Sequence, residues 1–209
     1  MQTFLPNCPV RLVQKVNGLA MSEVKITCKG FKMGNVYIPE FEVKKGQLLC
    51  FHWPFCHKSL EAEHFFEVLL GTKTEMNIYV LGKITKVNIP YEKNPFYRKS
   101  IKKCLMKFGN ISAYRASNIL QKLHIAPHNF IGSISLTKKI LLGLEIAWVN
   151  SPEVVLFETG GIDPLGIETI CQAVSEKLDT CAAVHFSYPT IPKRICCSQS
   201  QCIEIKEIK

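Results

Sequence analysis

The densest set of side chains able to hold a metal is Cys50, His52, Cys56 and His57, with His64 a helical turn or two beyond. Thiolates and imidazoles ligate zinc and haem iron, so a metal site is the first chemistry to weigh. Cys50 and His52 would share a strand face, but Trp53-Pro54-Phe55 follows where a zinc knuckle needs a tight turn. No bound metal is therefore expected. Nucleophilic catalysis has no support: there is no G-x-S-x-G elbow, and no cysteine lies in a protease-like signature. Carboxylates for acid–base work reduce to Glu158 and Asp163. Asp163, followed by Pro164, is explained as a helix N-cap with proline at the first helical position.

The elements that must position these groups follow from period and punctuation. Glu23 to Thr27, Asn35 to Val43 and Gln47 to His52 read as strands, and Lys58 to Leu70 as a helix ending at Gly71. Short strands are expected near Asn77 to Leu81 and Ile84 to Ile89. Tyr97 to Ile125 has helical spacing, as does Leu136 to Val149, which Asn150-Ser151-Pro152 stops. Val154 to Phe157 and Thr180 to Phe186 are apolar runs of buried strands, with a helix from Asp163 to Leu178 between them. Arg194 to Ser198 and Cys202 to Lys206 read as a closing hairpin, with Cys196, Cys197 and Cys202 as small buried hydrophobes. Buried strands alternating with helices predict an α/β core with parallel strands, an antiparallel β start and a helical insert at about 95–127. Residues 1–22 form an N-terminal extension and 23–209 a single domain.

Composition bounds the function. The chain has 209 residues, 47% hydrophobic and 21% charged, enough to bury one ordinary core. No apolar run approaches the roughly 18 residues needed to span a bilayer, and Glu145 breaks the best one, Ile140 to Val149. The net charge of +9 suits an anionic partner, but the basic residues fall in separate pairs, Lys44/Lys45, Arg98/Lys99, Lys102/Lys103, Lys138/Lys139 and Lys193/Arg194. They read as solvated surface and not as a nucleic-acid patch. Ten cysteines without a secretory leader point to free thiols in a reducing compartment, not to a secreted, disulfide-stapled scaffold. Met1 to Met21 has Arg11 and Lys15 and no acid, but Pro6 and Pro9 argue against a mitochondrial presequence.

From about Val24 onward the order of motifs resembles the ATP-binding subunits of ABC transporters. Lys44-Lys45-Gly46-Gln47 is similar to the K-K-G-E before that family's phosphate-binding strand, and Lys58-Ser59 falls where its G-K-S would. Leu69-Leu70-Gly71 matches the end of the P-loop helix. Ser135 opens a helix where the family has its signature serine, and Gly161-Ile162-Asp163-Pro164 looks like the D-loop. His185, after Ala182-Ala183-Val184, sits near the switch histidine. The resemblance implies an ABC-ATPase fold, with Phe31 stacking on adenine, Lys58, Ser59, Ser135 and Asp163 binding nucleotide, and Glu158 and His185 as catalytic groups. It also implies that the insert grips a membrane permease.

The same alignment of motifs is degenerate. A P-loop needs glycines because backbone N–H groups must close on phosphate oxygens. His52-Trp53-Pro54-Phe55-Cys56-His57-Lys58-Ser59 has histidine at both glycine positions, a proline that donates no N–H, and rings of Trp53 and Phe55 that would fill the cradle. The second Walker B acid is missing, so Glu158 stands alone in either the metal or the base position. The signature Ile134-Ser135-Leu136-Thr137-Lys138 has lost both glycines, and Pro90-Tyr91-Glu92 replaces the glutamine that reports nucleotide to the permease. Losing one positioned donor typically costs a factor on the order of 100 or more. The expectation is a degenerate subunit without ATP hydrolysis and with no cofactor, docked on integral-membrane subunits at the cytosolic or mitochondrial-matrix face. The alternative is one asymmetric half of an active heterodimer, in which ATP and Mg²⁺ are bound with a second, intact ABC ATPase chain.

Overall fold

The computed structural model describes residues 24–54, 60–88, 100–188 and 200–208. Among the described residues nine strands form two sheets. β1 (Val24–Met33), β2 (Val36–Lys44), β4 (Ile78–Val80) and β9 (Lys206–Glu207) make an antiparallel sheet in the order β4-β1-β2-β9. β3 (Leu48–His52), β5 (Ile84–Lys86), β6 (Val154–Glu158), β7 (Ala182–Ser187) and β8 (Ser200–Glu204) make a wholly parallel sheet in the order β5-β6-β7-β3-β8. The helices are α1 (Leu60–Leu69), α2 (Ile101–Gly109), α3 (Ala113–Lys122), α4 (Leu136–Val149) and α5 (Pro164–Ser175).

β6 and β7 are apolar at nearly every position because both faces of the parallel sheet are covered. Val154, Leu156, Val184 and Phe186 face the antiparallel sheet and α1, in a core with Ile26, Ile38, Phe51 and Phe65. Val155, Phe157 and Ala183 face the other way, onto Ile140 and Leu144 of α4 and Ile167, Ile170 and Val174 of α5. The insert has its own small core of Ile101, Leu105, Ala116, Ile119 and Leu120, closed by Leu142 of α4. The α/β expectation, with its antiparallel start and helical insert, agrees with this architecture. Asp163 caps α5 as expected, its Oδ1 accepting from the Gly166 N–H at 2.9 Å.

One feature departs from the sequence reading. In β1 and β2 the buried face runs through Ile26/Val43 and Cys28/Phe41, then slips to Phe31/Ile38 and Met33/Val36. The slip falls at Gly30, which takes φ +73°, beside Pro39. Glycine adopts that backbone readily and proline has no N–H to donate there. The closing hairpin is described only in its second arm, since the first, Arg194 to Ser198, lies outside the described residues. In the second arm β8 runs parallel to β3, with Cys202 level with Cys50, and β9 pairs antiparallel with Val36 and Tyr37 of β2. Buried Ile203 and Ile205 anchor this crossing between the sheets, and the Ile205 N–H donates to His52 O at 3.0 Å.

Candidate functional site

Ligands of open parallel sheets bind beyond the carboxyl ends of the strands. Here those ends carry His52-Trp53-Pro54 after β3, Glu158-Thr159-Gly160 after β6 and Ser187-Tyr188 after β7. Side chains alternate along a strand, so the last residues of β6 and β7 go to opposite sides of the sheet. Glu158 has the parity of Val154 and Leu156, the side of α1 and the antiparallel sheet. His185 has the parity of Ala183, and its ring stacks on Phe157 at 4.7 Å between centroids and 7° between planes, on the α4/α5 side. The two candidate catalytic groups are therefore separated by the sheet.

His185 is 1% exposed. Its Nε2 lies 2.6 Å from the hydroxyl of Thr159, itself fully buried, and its Nδ1 lies 3.5 Å from the Cys50 thiol. This is the arrangement of a satisfied core histidine. Phe31 also differs from expectation: it is buried in the core between the sheets, not presented to a base. Trp53 departs likewise. Its indole is turned into the core and stacked on Phe65 at 5.9 Å. Lys58 and Ser59, with Cys56 and His57 of the soft-ligand cluster, lie outside the described residues, as do Phe55 and Pro90-Tyr91-Glu92.

Ser135 and Asp163 come to neighbouring helix starts. Ser135 Oγ accepts from the Lys138 N–H at 3.3 Å and caps α4, while Asp163 caps α5. The first turns of the two helices touch: a Cβ on Gly166 would meet Thr137 Oγ1 at 2.5 Å, and one on Gly161 would meet Leu136 at 3.8 Å. His52 Nδ1 lies 2.6 Å from the hydroxyl of Ser187, tying β3 to β7 at the strand ends. Its companion in the soft-ligand cluster, His64, has Nδ1 3.5 Å from Lys73 Nζ on the surface.

Sequence reasoning passed over Tyr188 and Thr159. Tyr188 is 7% exposed, its ring 3.6 Å from where a Cβ on Gly160 would stand. Burial first, then the carboxylates Glu158 and Glu63, push its phenol up to about 12. The ring thus occupies the strand-end region beside Glu158. No spacing signal marks it, because its role depends on β6 and β7 being in register.

Comparison with known families finds no match, and no curated protein is similar in sequence. Solved structures are similar in fold. An ABC transporter of the metal-chelate type, seen in an inward-facing conformation, superposes with a TM-score of 0.59 at 16% identity, over 79% of this chain and 73% of that one. The chain has the fold of an ABC-transporter ATP-binding domain. Two further structures agree: cbiO1 of Clostridium perfringens, part of the ABC transporter complex cbiONQ, at TM-score 0.57, 13% identity and 80% and 79% of the chains, and a nucleotide-free ATP-binding cassette from an ABC transporter at TM-score 0.57, 12% identity and 79% and 81%. At such identities the ABC-ATPase likeness concerns the fold. Among the described residues no helix is long and apolar enough to cross a membrane, and no three His, Cys, Asp or Glu side chains are grouped to hold a metal ion.

Proposed function

We propose that the chain is a degenerate ABC-ATPase-like subunit without ATP hydrolysis, serving as a structural and docking component of a membrane transporter or another membrane-associated complex. It would be held peripherally on the cytosolic or matrix face by integral-membrane subunits, with a second, intact ATPase chain as a further partner. The observation that carries the reading is the separation of Glu158 from His185 by the parallel sheet, with the histidine buried and satisfied in the core. Phosphoryl transfer depends almost entirely on positioned charges around one phosphate. Three features support a chain that holds no nucleotide or Mg²⁺. Phe31 is buried in the core, Ser135 and Asp163 are engaged as helix caps, and His52 to Ser59 holds no glycine to admit a phosphate. A ligand present at about 100 times its Kd stabilises a fold by about 2.7 kcal/mol. For a domain of this size that raises Tm by roughly 5–10 °C. The expected result with millimolar Mg-ATP is no such rise and no phosphate release above a protein-free blank. A rise that disappears in Lys58→Ala would overturn the proposal. Affinity purification from native membranes should recover an integral-membrane chain; recovery of the subunit alone counts against docking. If an intact ATPase chain co-purifies and Ser135→Arg lowers turnover of the pair, the asymmetric-heterodimer reading replaces this one.

A further inference from the structure

The surplus of positive charge is concentrated in one part of the chain. From Lys93 to Leu144 there are ten lysines and arginines and no aspartate or glutamate, whereas the rest of the sequence sets 16 basic residues against 17 acidic ones. The pairs Arg98/Lys99, Lys102/Lys103 and Lys138/Lys139, separate in sequence, belong to one acid-free block. That block builds α2, α3 and the first half of α4. α2 buries Ile101, Cys104 and Leu105 and exposes Lys103, Met106 and Lys107, with Phe108 beside them. Tyr114 and Arg115, in the first turn of α3 just after the α2–α3 turn, are exposed as well. Phe108 is 49% and Tyr114 78% exposed.

Lys103 and Lys107 stand one helical turn apart, a like-charge spacing that weakens a helix. Among the described residues no ion pair engages Lys103, Lys107 or Arg115. Glu145 of α4 is taken by Lys122, Nζ to Oε1 at 2.6 Å. Within the described residues this tip is therefore not neutralised, and an external anion would neutralise it.

We propose that the α2–α3 tip binds the surface of a bilayer containing anionic phospholipid. The choice of partner follows from two chemistries on one surface. Lysines beside a membrane are drawn to phosphatidylserine-type headgroups, and exposed Met, Phe and Tyr side chains insert at the boundary between headgroups and acyl chains. A nucleic-acid backbone would satisfy the charges but gain little from Met106, and most of these cations are lysines, point charges without the arginine fork that reads bases. The inference goes beyond the docking proposal: vesicle binding and capture of a protein partner are separate measurements, and either can fail alone.

The test is flotation of the full chain with vesicles of phosphatidylcholine alone or with about 30% phosphatidylserine. Binding to the anionic vesicles should exceed binding to the neutral ones at least tenfold and fall steeply as salt rises from about 0.05 to about 0.5 M. Each basic residue near the surface contributes roughly a fivefold factor. The triple variant Lys103→Gln, Lys107→Gln, Arg115→Gln should thus lose on the order of 100-fold, while Lys44→Gln, Lys45→Gln, Lys206→Gln stays near the parent. Phe108→Ser with Tyr114→Ser should weaken anionic-vesicle binding while leaving its salt dependence in place. Circular dichroism confirms that each variant is folded; if the triple variant is not, the salt and lipid dependence of the parent decides. Equal binding to neutral vesicles, no loss in the folded triple variant, or displacement from vesicles by an oligonucleotide at concentrations below those of the lipid would overturn the proposal, the last in favour of nucleic acid.

Discussion

Gly143 lies on the buried face of α4, where the helix crosses the chain leaving β5. A methyl group there would stand 2.8 Å from Asn88 O and 2.8 Å from Val87 Cγ1. Val87 is held in turn by its N–H bond to Leu156 O at 2.8 Å, so the obstacle belongs to the parallel sheet and cannot swing aside like a side chain. Two effects compete in Gly143→Ala. Helix propensity and the reduced freedom of the unfolded chain favour alanine by about 1 kcal/mol. Against that, ordinary contact requires α4 to retreat by about 0.5 Å, which unseats Ile140 and Leu144 from the core; overpacking of this kind costs about 1–3 kcal/mol. The steric term wins because the opposing atom is backbone. The net expectation is a loss of up to about 2 kcal/mol, or a fall in Tm of up to roughly 8 °C for a domain of this size. Urea unfolding and calorimetry measure both quantities. Gly132→Ala is the control: a Cβ there meets nothing within 4 Å, so it should be neutral or slightly stabilising. An increase in Tm for Gly143→Ala would refute the reasoning, since it would mean that propensity alone decides.

Three further outcomes are expected. Thr159→Val keeps the shape but leaves His185 Nε2 without its hydroxyl partner, and should cost about 1–3 kcal/mol in urea unfolding, with Thr159→Ser recovering most of it; equal stability of the valine variant would contradict the assignment. The Glu153 carboxylate joins the sheets, accepting from Lys25 Nζ at 2.6 Å and the Lys83 N–H at 2.8 Å, and these bonds, Lys25 first, hold it below its ordinary pKa. Its contribution is present above the unfolded carboxylate value and lost as pH falls through the folded one. Glu153→Gln should therefore lower stability by about 0.5 kcal/mol near neutrality, with the gap closing below roughly pH 4; a gap that persists in acid would exclude a charge origin. Among the six described cysteines Cys202 is exposed, while burial pushes the Cys28 thiol up to about 11. Iodoacetamide at pH 8 should label Cys202 well before Cys28 in peptide maps of the native protein, and comparable labelling would contradict the burial of Cys28.

Local chemistry made much of the fold readable. The helix through Leu136 to Val149, the N-cap at Asp163 and the apolar strands at Val154 and Ala182 are written in neighbouring residues, because caps and periodicity act within a turn or two. The +9 charge and its confinement between Lys93 and Leu144 are likewise properties of the chain alone. Tertiary structure decided what depends on registers between distant strands. Phe31 entered the core because Gly30 and Pro39 slip the alternation of two paired strands. His185 became a core group because β7 sets it level with Phe157 and Cys50, on the face opposite Glu158. β8 took its place beside β3, with Ile203 and Ile205 buried between the two sheets, through a pairing across about 150 residues of chain. A sequence records which groups can do chemistry, but only the pairing of strands, some of them over a hundred residues apart, settles which face each group occupies.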